Sequence, residues 1–330
     1  MSSGESTAQL NGLLDAALTR EPEYGDGLSN HLPMALHALH ALGAGNERLR
    51  AFSEVYARRL VEAPASAASA ALLHGTWQDS IGRYEAFDSL RRTFESALLD
   101  DGIDATLHRV LPALWPGVAG AAFHGLIRTA HAVQTGHLRE LAAALAYWAV
   151  RWQPVPAANA LPDGERLALA DWAARLETAA LELRLPGRLI VVRIDAAVDT
   201  PDYAALADAT VLDGLQPVAD WAADLYARSG NFTVLHCVTA TRAVRVLGPW
   251  TSASAEVFQV LLRAVTAAVL ASNLQIAQRA GEPLPPWGDL IARAIASDDD
   301  HVIKLVHALM EERAVYGDGA RQRAAARGVS

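Results

Sequence analysis

Apolar residues recur at three- and four-residue spacing along most of this 330-residue chain, in long Ala/Leu-rich segments punctuated by Gly, Pro and Asp. That period lays an apolar stripe along each helix, and helices built this way must bury their stripes against one another. The expected fold is therefore all-α, a large single helical domain over residues 7–316. At most a minor strand is expected near 189–192, where the β-branched run in RLIVVRID fits either a short strand or a buried helical turn. Helix stops are expected at Gly43, Gly117, Gly136 and Gly230, and starts at Ser29 or Asn30, at Ser252 and in the run Asp298, Asp299, Asp300. Pro154, Pro156 and Pro162 make 153–164 the clearest linker and the place for any subdivision. Residues 1–6 and the polar, Arg-containing 317–330 read as mobile ends.

Composition narrows the function classes. A net charge of -9, with a sequence pI near 5.6, provides no concentrated basic stripe for phosphate, so nucleic acid is not an expected partner. Cys237 is the only cysteine, which rules out an intrachain disulfide. The opening MSSGESTAQL has neither a basic nor an apolar leader region, and the apolar stretch 256–276 is interrupted by Gln259, Arg263 and Asn273. A cytoplasmic protein without a membrane partner is the expectation. No G-x-G-x-x-G follows a strand, and GAG at 43–45 fits a turn, so no residues are assigned to a nicotinamide or flavin cofactor.

Chemistry concentrates in the histidines and one lysine. Lys304 is the only lysine among 28 basic side chains. Where arginine has replaced lysine everywhere else, the survivor is a candidate for work that needs an amine able to lose its proton. His301 lies three residues earlier, on the same helix face. Among the 11 histidines, His31 opens an apolar helix before Pro33, while His124 follows Phe123 and His236 sits in FTVLHCV, both in runs that should be buried. Any one of these is more often a core residue than a ligand. Together, four segments each offer an imidazole to a common interior point, as helical bundles do when they build a metal site. The usual metal signatures, HExxH, paired cysteines and Glu-x-x-His, are absent.

These segments, GLSNHLPMAL at 27–36, AAFHGLIR at 121–128, LHCVTATRAVR at 235–245 and DDDHVIKL at 298–305, resemble the questin oxidase family, from about Tyr24 to about Met310. The resemblance implies an oxidoreductase that opens or expands rings of anthraquinone-type substrates, described in the family both as a Baeyer-Villiger-type oxidase and as a non-haem iron oxygenase. By motif position it implies a metal-centred helical bundle in which His31, His124, His236 and His301 are imidazole ligands of Fe(II) and Lys304 is a carboxylated lysine ligand. Molecular oxygen is then the co-substrate, a small aromatic molecule the partner, and NADPH an external reductant. Lys304 and His301 would act in catalysis, and His307 is a fallback ligand one turn on.

Further candidates are weaker. Arg128, one turn after His124, either holds a phenolate or carboxylate of the substrate or makes an ordinary buried ion pair. WQDSIGRYEAF at 77–87 offers Trp77, Arg83 and Tyr84 to a substrate pocket. Among the eight tryptophans, Trp77, Trp115, Trp148, Trp221 and Trp250 either line a pocket for a flat ring or pack the core. The acidic run 298–300 either orients His301 or caps a helix. Two alternatives to an iron oxygenase stay open at this point: an NADPH-dependent Baeyer-Villiger-type oxidase without bound iron, and a non-catalytic helical binding protein.

Overall fold

The computed structural model describes residues 3–63, 76–158, 166–252, 254–276 and 283–330. Chain order runs from α1 (Ser3–Ala17) through an antiparallel hairpin, β1 (Glu23–Tyr24) and β2 (Leu28–Ser29), into α2 (Leu32–Ala41) and α3 (Asn46–Ala57). The hairpin pairs Glu23 with Ser29 and Tyr24 with Leu28. Next come α4 (Phe87–Leu114), α5 (His124–Thr135), α6 (Leu138–Val150), α7 (Leu169–Glu182), α8 (Ile190–Val198) and α9 (Pro201–Leu206). The chain ends with α10 (Gln216–Ser229), α11 (Phe232–Leu247), α12 (Ser254–Leu270), α13 (Trp287–Ala296), α14 (Asp300–Tyr316) and α15 (Arg321–Gly328). The expected all-α class is what the chain adopts, and the hairpin is the only sheet among the described residues.

Four helices form the centre. α2 packs on α5, α5 on α11, α11 on α14, and α14 back on α2, which closes a ring. α2 is buried at every residue from Leu32 to Leu39, including His37, as an interior helix apolar on all sides must be. The ring is jacketed by α1 and α3 against α2, by α6 and then α4 outside α5, by α10 and α12 against α11, and by α13 and α15 against α14. The buried apolar residues form one contiguous cluster from Leu10 to Ala325.

Local chemistry sets the ends of the ring helices. Asn231 caps α11, its Oδ1 accepting from the Thr233 and Val234 amides at 2.9 and 3.2 Å. Asp299 caps α14 by accepting from the His301 amide at 2.8 Å. α2 follows Asn30, whose Oδ1 takes the Leu32 amide at 3.0 Å. Gly136 closes α5 and Gly230 closes α10, each in the left-handed conformation that suits glycine there.

Of the two readings of 189–192 the helical one is adopted: the run leads into α8, where Ile190, Ile194 and Ala197 form a buried helical stripe while Val192 faces solvent. Two other expectations are corrected. The tail 317–330 is not loose: it carries α15, whose Ala324 and Ala325 join the core and whose Arg321 meets Asp220 at 2.6 Å. Its arginine-rich composition conceals a two-alanine apolar strip against α10 and α14. At the other end α1 starts at Ser3, inside the segment expected to be mobile. Of the linker expected at 153–164, residues 159–164 lie outside the described residues.

Candidate metal centre

Each helix of the central ring presents a histidine from its N-terminal end: His31 immediately precedes α2, His124 opens α5, His236 lies in the second turn of α11, and His301 is the second residue of α14. Their rings touch. His31 stacks on His124 with centroids 4.4 Å apart, and it meets His301 edge-on at 4.7 Å. His236 stands 4.9 Å from His124 and 5.5 Å from His301. Donor nitrogens of His31, His124 and His301 all lie within 4.8 Å of one another, a separation that ligands of one cation approach with small side-chain shifts. His236 is in ring contact but outside that trio of converging donors.

The hydrogen bonds fix which nitrogen each ring leaves open. His124 Nδ1 bonds the Ala121 carbonyl, and His236 Nδ1 the Phe232 carbonyl at 2.8 Å. A carbonyl only accepts, so both rings carry their proton on Nδ1 and a lone pair on Nε2. His31 Nδ1 lies 2.5 Å and His301 Nδ1 3.2 Å from Asp300 Oδ2, so one carboxylate oxygen serves two rings. The Nε2 atoms of His31, His124 and His301 are buried with no hydrogen-bond partner. An orphaned buried acceptor is costly, and an array of them marks a place for a ligand.

Burial dominates the electrostatics. It pushes the His31 imidazole down to about 3, with Lys304 reinforcing the effect and Asp300 opposing it. His124 and His236 are held well below the usual imidazole range by burial and then by neighbouring imidazoles and Lys304, so these two rings, like His31, are neutral and ready to ligate. Burial alone would raise Asp300, but His31, Lys304 and His301 together hold it well below the usual carboxylate range. Lys304 is 3 % exposed, with Nζ 3.4 Å from Asp300 Oδ2. Its amine is lowered because burial outweighs the pull of Asp300, which the two histidines already share.

An unusual backbone aims His124. Ala121, Ala122 and Phe123 have φ of 49°, 54° and 69°, three consecutive left-handed residues that are not glycine. Such conformations are strained for residues with a Cβ and persist where the surroundings enforce them. The surroundings do so here by close approach. A Cβ on Gly120 would lie 1.8 Å from the Arg151 carbonyl oxygen, and one on Gly125 would lie 2.6 Å from the Trp148 Cα. The turn is thus clamped onto α6 with its carbonyl against the His124 ring.

Beside the histidines lies a cavity of about 300 Å³, bounded by Tyr24, Leu28, Ile190 and Phe232, with Arg188 and Arg193 at its rim. Phe232 is half exposed and packs 4.6 Å from the His301 ring.

Several candidates lie elsewhere. Arg128 does not reach the cavity: its Nε and Nη2 engage both oxygens of Glu140 at 2.7 and 2.9 Å in a buried ion pair that ties α5 to α6. Trp77 packs its ring 5.2 Å from Phe94, Arg83 pairs with Glu85 on the surface, and Tyr84 lies under the Arg151 guanidinium, so none of the three borders the cavity. Asp298 pairs with Arg48, while Asp299 caps α14 and faces His301 Nδ1 at 3.6 Å beside Asp300 at 3.2 Å, so both orient that ring and Asp300 alone also serves His31. That Asp300 would serve His31 was invisible in the sequence, since the two are 269 residues apart. His307 is not beside the first group. It joins His37 and His131 in a second buried trio one layer deeper, with donor atoms again within 4.8 Å. The available signal was a histidine six or seven residues after the first on each of three helices, at positions 31 and 37, 124 and 131, and 301 and 307.

The chain is similar to the questin oxidase family: the family model described as questin oxidase-like matches residues 28–184. The matched span contains His31 and His124 and ends before His236, His301 and Lys304. No curated protein matches the chain. An oxidase family and buried histidine groups able to hold a metal ion point jointly to oxidoreductase chemistry at a metal-compatible site. No described helix is long and apolar enough to cross a membrane.

Proposed function

We propose that this questin oxidase-like chain is a mononuclear non-haem iron oxygenase that inserts oxygen into an electron-rich aromatic or quinol substrate, with ring opening or expansion. His31, His124, His236 and His301 would hold Fe(II). One observation carries the reading: the buried Nε2 atoms of His31, His124 and His301 lack partners and stand beside a cavity of substrate size. Imidazole ligands suit iron, and an oxidase family favours a redox-active ion over zinc. Bound there, iron would supply a site at which molecular oxygen and substrate meet and exchange electrons.

The chain's own residues account for the rest. Asp300 fixes the His31 and His301 rings from behind, and the carbonyls of Ala121 and Phe232 keep the Nδ1 protons of His124 and His236 in place. Phe232, Ile190 and Leu28 supply an apolar wall to the cavity beside the donor atoms. The N-termini of α2, α5, α11 and α14 surround the histidines, and their partial positive ends favour a phenolate over the neutral phenol. A substrate arriving as a quinone would first need two electrons, for which NADPH or a partner reductase is the source.

Lys304 would complete the ligand set as a carbamate, formed with carbon dioxide by an amine that burial makes easier to deprotonate. The 3.4 Å contact with Asp300 favours a second role, as the cation that balances that carboxylate. Lys304→Arg separates the two. A carbamate ligand predicts loss of bound iron and of turnover, with the wild-type protein responding to bicarbonate. Full metal content and turnover in the arginine variant would remove the ligand role. For the function as a whole, the protein is loaded anaerobically with Fe(II), its metal quantified, and oxygen uptake followed over an anthraquinol and phenol panel. About one iron in this site, lost in His124→Ala and His301→Ala together with oxygen uptake, is expected. Oxygen uptake that survives both substitutions would sink the proposal.

A further inference from the structure

The second trio has the form of a site in its own right. His37, His131 and His307 come from α2, α5 and α14, with exposures of 7, 2 and 0 %. Their ring centroids form a nearly equilateral triangle with sides of 5.1, 5.2 and 5.3 Å. His37 and His131 face each other with Nδ1 atoms 2.8 Å apart, while neither nitrogen of His307 has a hydrogen-bond partner. A fully buried imidazole with both nitrogens open is left unsatisfied by the protein alone. Glu311 Oε1 lies 3.6 Å from His307 Nε2, so an anionic oxygen borders the trio. Gln134 donates to that same oxygen at 2.8 Å, and Arg242 Nε holds Oε2 at 2.6 Å.

We propose that His37, His131 and His307, with Glu311 beside them, form a second, structural binding site for a first-row divalent cation, distinct from the centre at His31. Three imidazole nitrogens and one carboxylate select zinc-like and iron-like ions over calcium and magnesium, which prefer all-oxygen sites. The three rings carry no net proton to displace, because burial holds each well below the usual imidazole range. Binding needs only that the proton shared between the two facing Nδ1 atoms move to an outer nitrogen. Arg242 occupies, on α11, the place in this layer that His236 takes in the layer above, six residues earlier. Its Nη1 has no partner, and its charge opposes a cation, so this site should bind more weakly and fill second.

Zn(II) is the probe. Metal-free protein is titrated and the bound metal counted for the wild type, for His131→Ala and His37→Ala, and for His124→Ala in the upper centre. Two equivalents in the wild type, with the weaker one lost in either lower variant and kept in His124→Ala, is the expected result. One equivalent, lost in His124→Ala alone, overturns the second site and leaves the upper centre standing. One equivalent lost only in the lower variants supports this site and counts against the proposed iron centre. Anomalous scattering from Zn(II)-soaked wild-type crystals gives the same decision without substitution. A peak between His37, His131 and His307 is expected, and its absence at a zinc concentration that fills the upper centre overturns the proposal.

Discussion

Asp300 illustrates how one residue can organise a site it does not enter. It is buried, ionised, and shared by His31, His301 and Lys304. Asp300→Asn keeps the shape and one acceptor while removing the charge, and losses of this kind cost metal affinity about 10- to 100-fold. Competition titration with a chromophoric chelator measures it, and an unchanged affinity would mean that His31 and His301 are held by packing alone. The left-handed turn before His124 offers a second test. Glycine has no Cβ to strain there, so Ala122→Gly should be neutral or stabilising by up to about 1 kcal/mol, even after the greater freedom of the unfolded chain is counted. Ala144→Gly, in the interior of α6, should instead cost about 1 kcal/mol. Urea denaturation compares the two, and equal losses would contradict the backbone at 121–123.

At the scale of elements, the pairing of α5 with α6 is set by a missing side chain. A methyl group on Gly125 would sit 2.6 Å from the Trp148 Cα and 2.7 Å from its Cβ, where no flexible chain end can yield. Gly125→Ala should cost about 1–3 kcal/mol by overpacking and, because α5 carries His124 and His131, should lower metal occupancy as well. Thermal denaturation and metal counting on the same sample check both. The helical character of these elements was readable because burial repeats at three and four residues. Residues 189–192 were ambiguous because a four-residue window with three β-branched members is too short to show the stripe that Ile194 and Ala197 complete. The four upper histidines were legible as polar residues in apolar runs. His37 and His131 were not, since each lies in a segment already accounted for by another histidine, and Asp300's service to His31 is a contact between helices that no local pattern encodes.

Taken whole, the molecule buries an exceptional number of neutral imidazoles. His31, His37, His124, His131, His236 and His307 are all held below their ordinary value of 6.5, with burial the leading cause each time. The folded state therefore refuses protons that the unfolded chain accepts below about pH 6.5, so stability is fully present above that value and is lost as pH falls. Each group contributes up to about 1.4 kcal/mol per pH unit in that range. The metal-free protein should show a large drop in melting temperature between pH 7.5 and 5.5, and a flat profile would mean that these rings are solvated or charged.

The two histidine layers also determine how the chain can assemble. Both contain residues from α2, α5 and α14, and α11 stands beside each, so the four ring helices must run in the same direction. Parallel helices cannot be joined by tight turns; each return journey is made by the helices that jacket the ring. The contacts that close the ring therefore join residues far apart along the chain, the class of topology that folds slowly. During synthesis no ligand set exists until the segment bearing His301 and His307 has emerged, after those bearing His31, His37, His124, His131 and His236. Loading with metal is then a late event, and a nascent or nicked chain lacking α14 has no means of holding a reactive ion before the walls that contain it are in place.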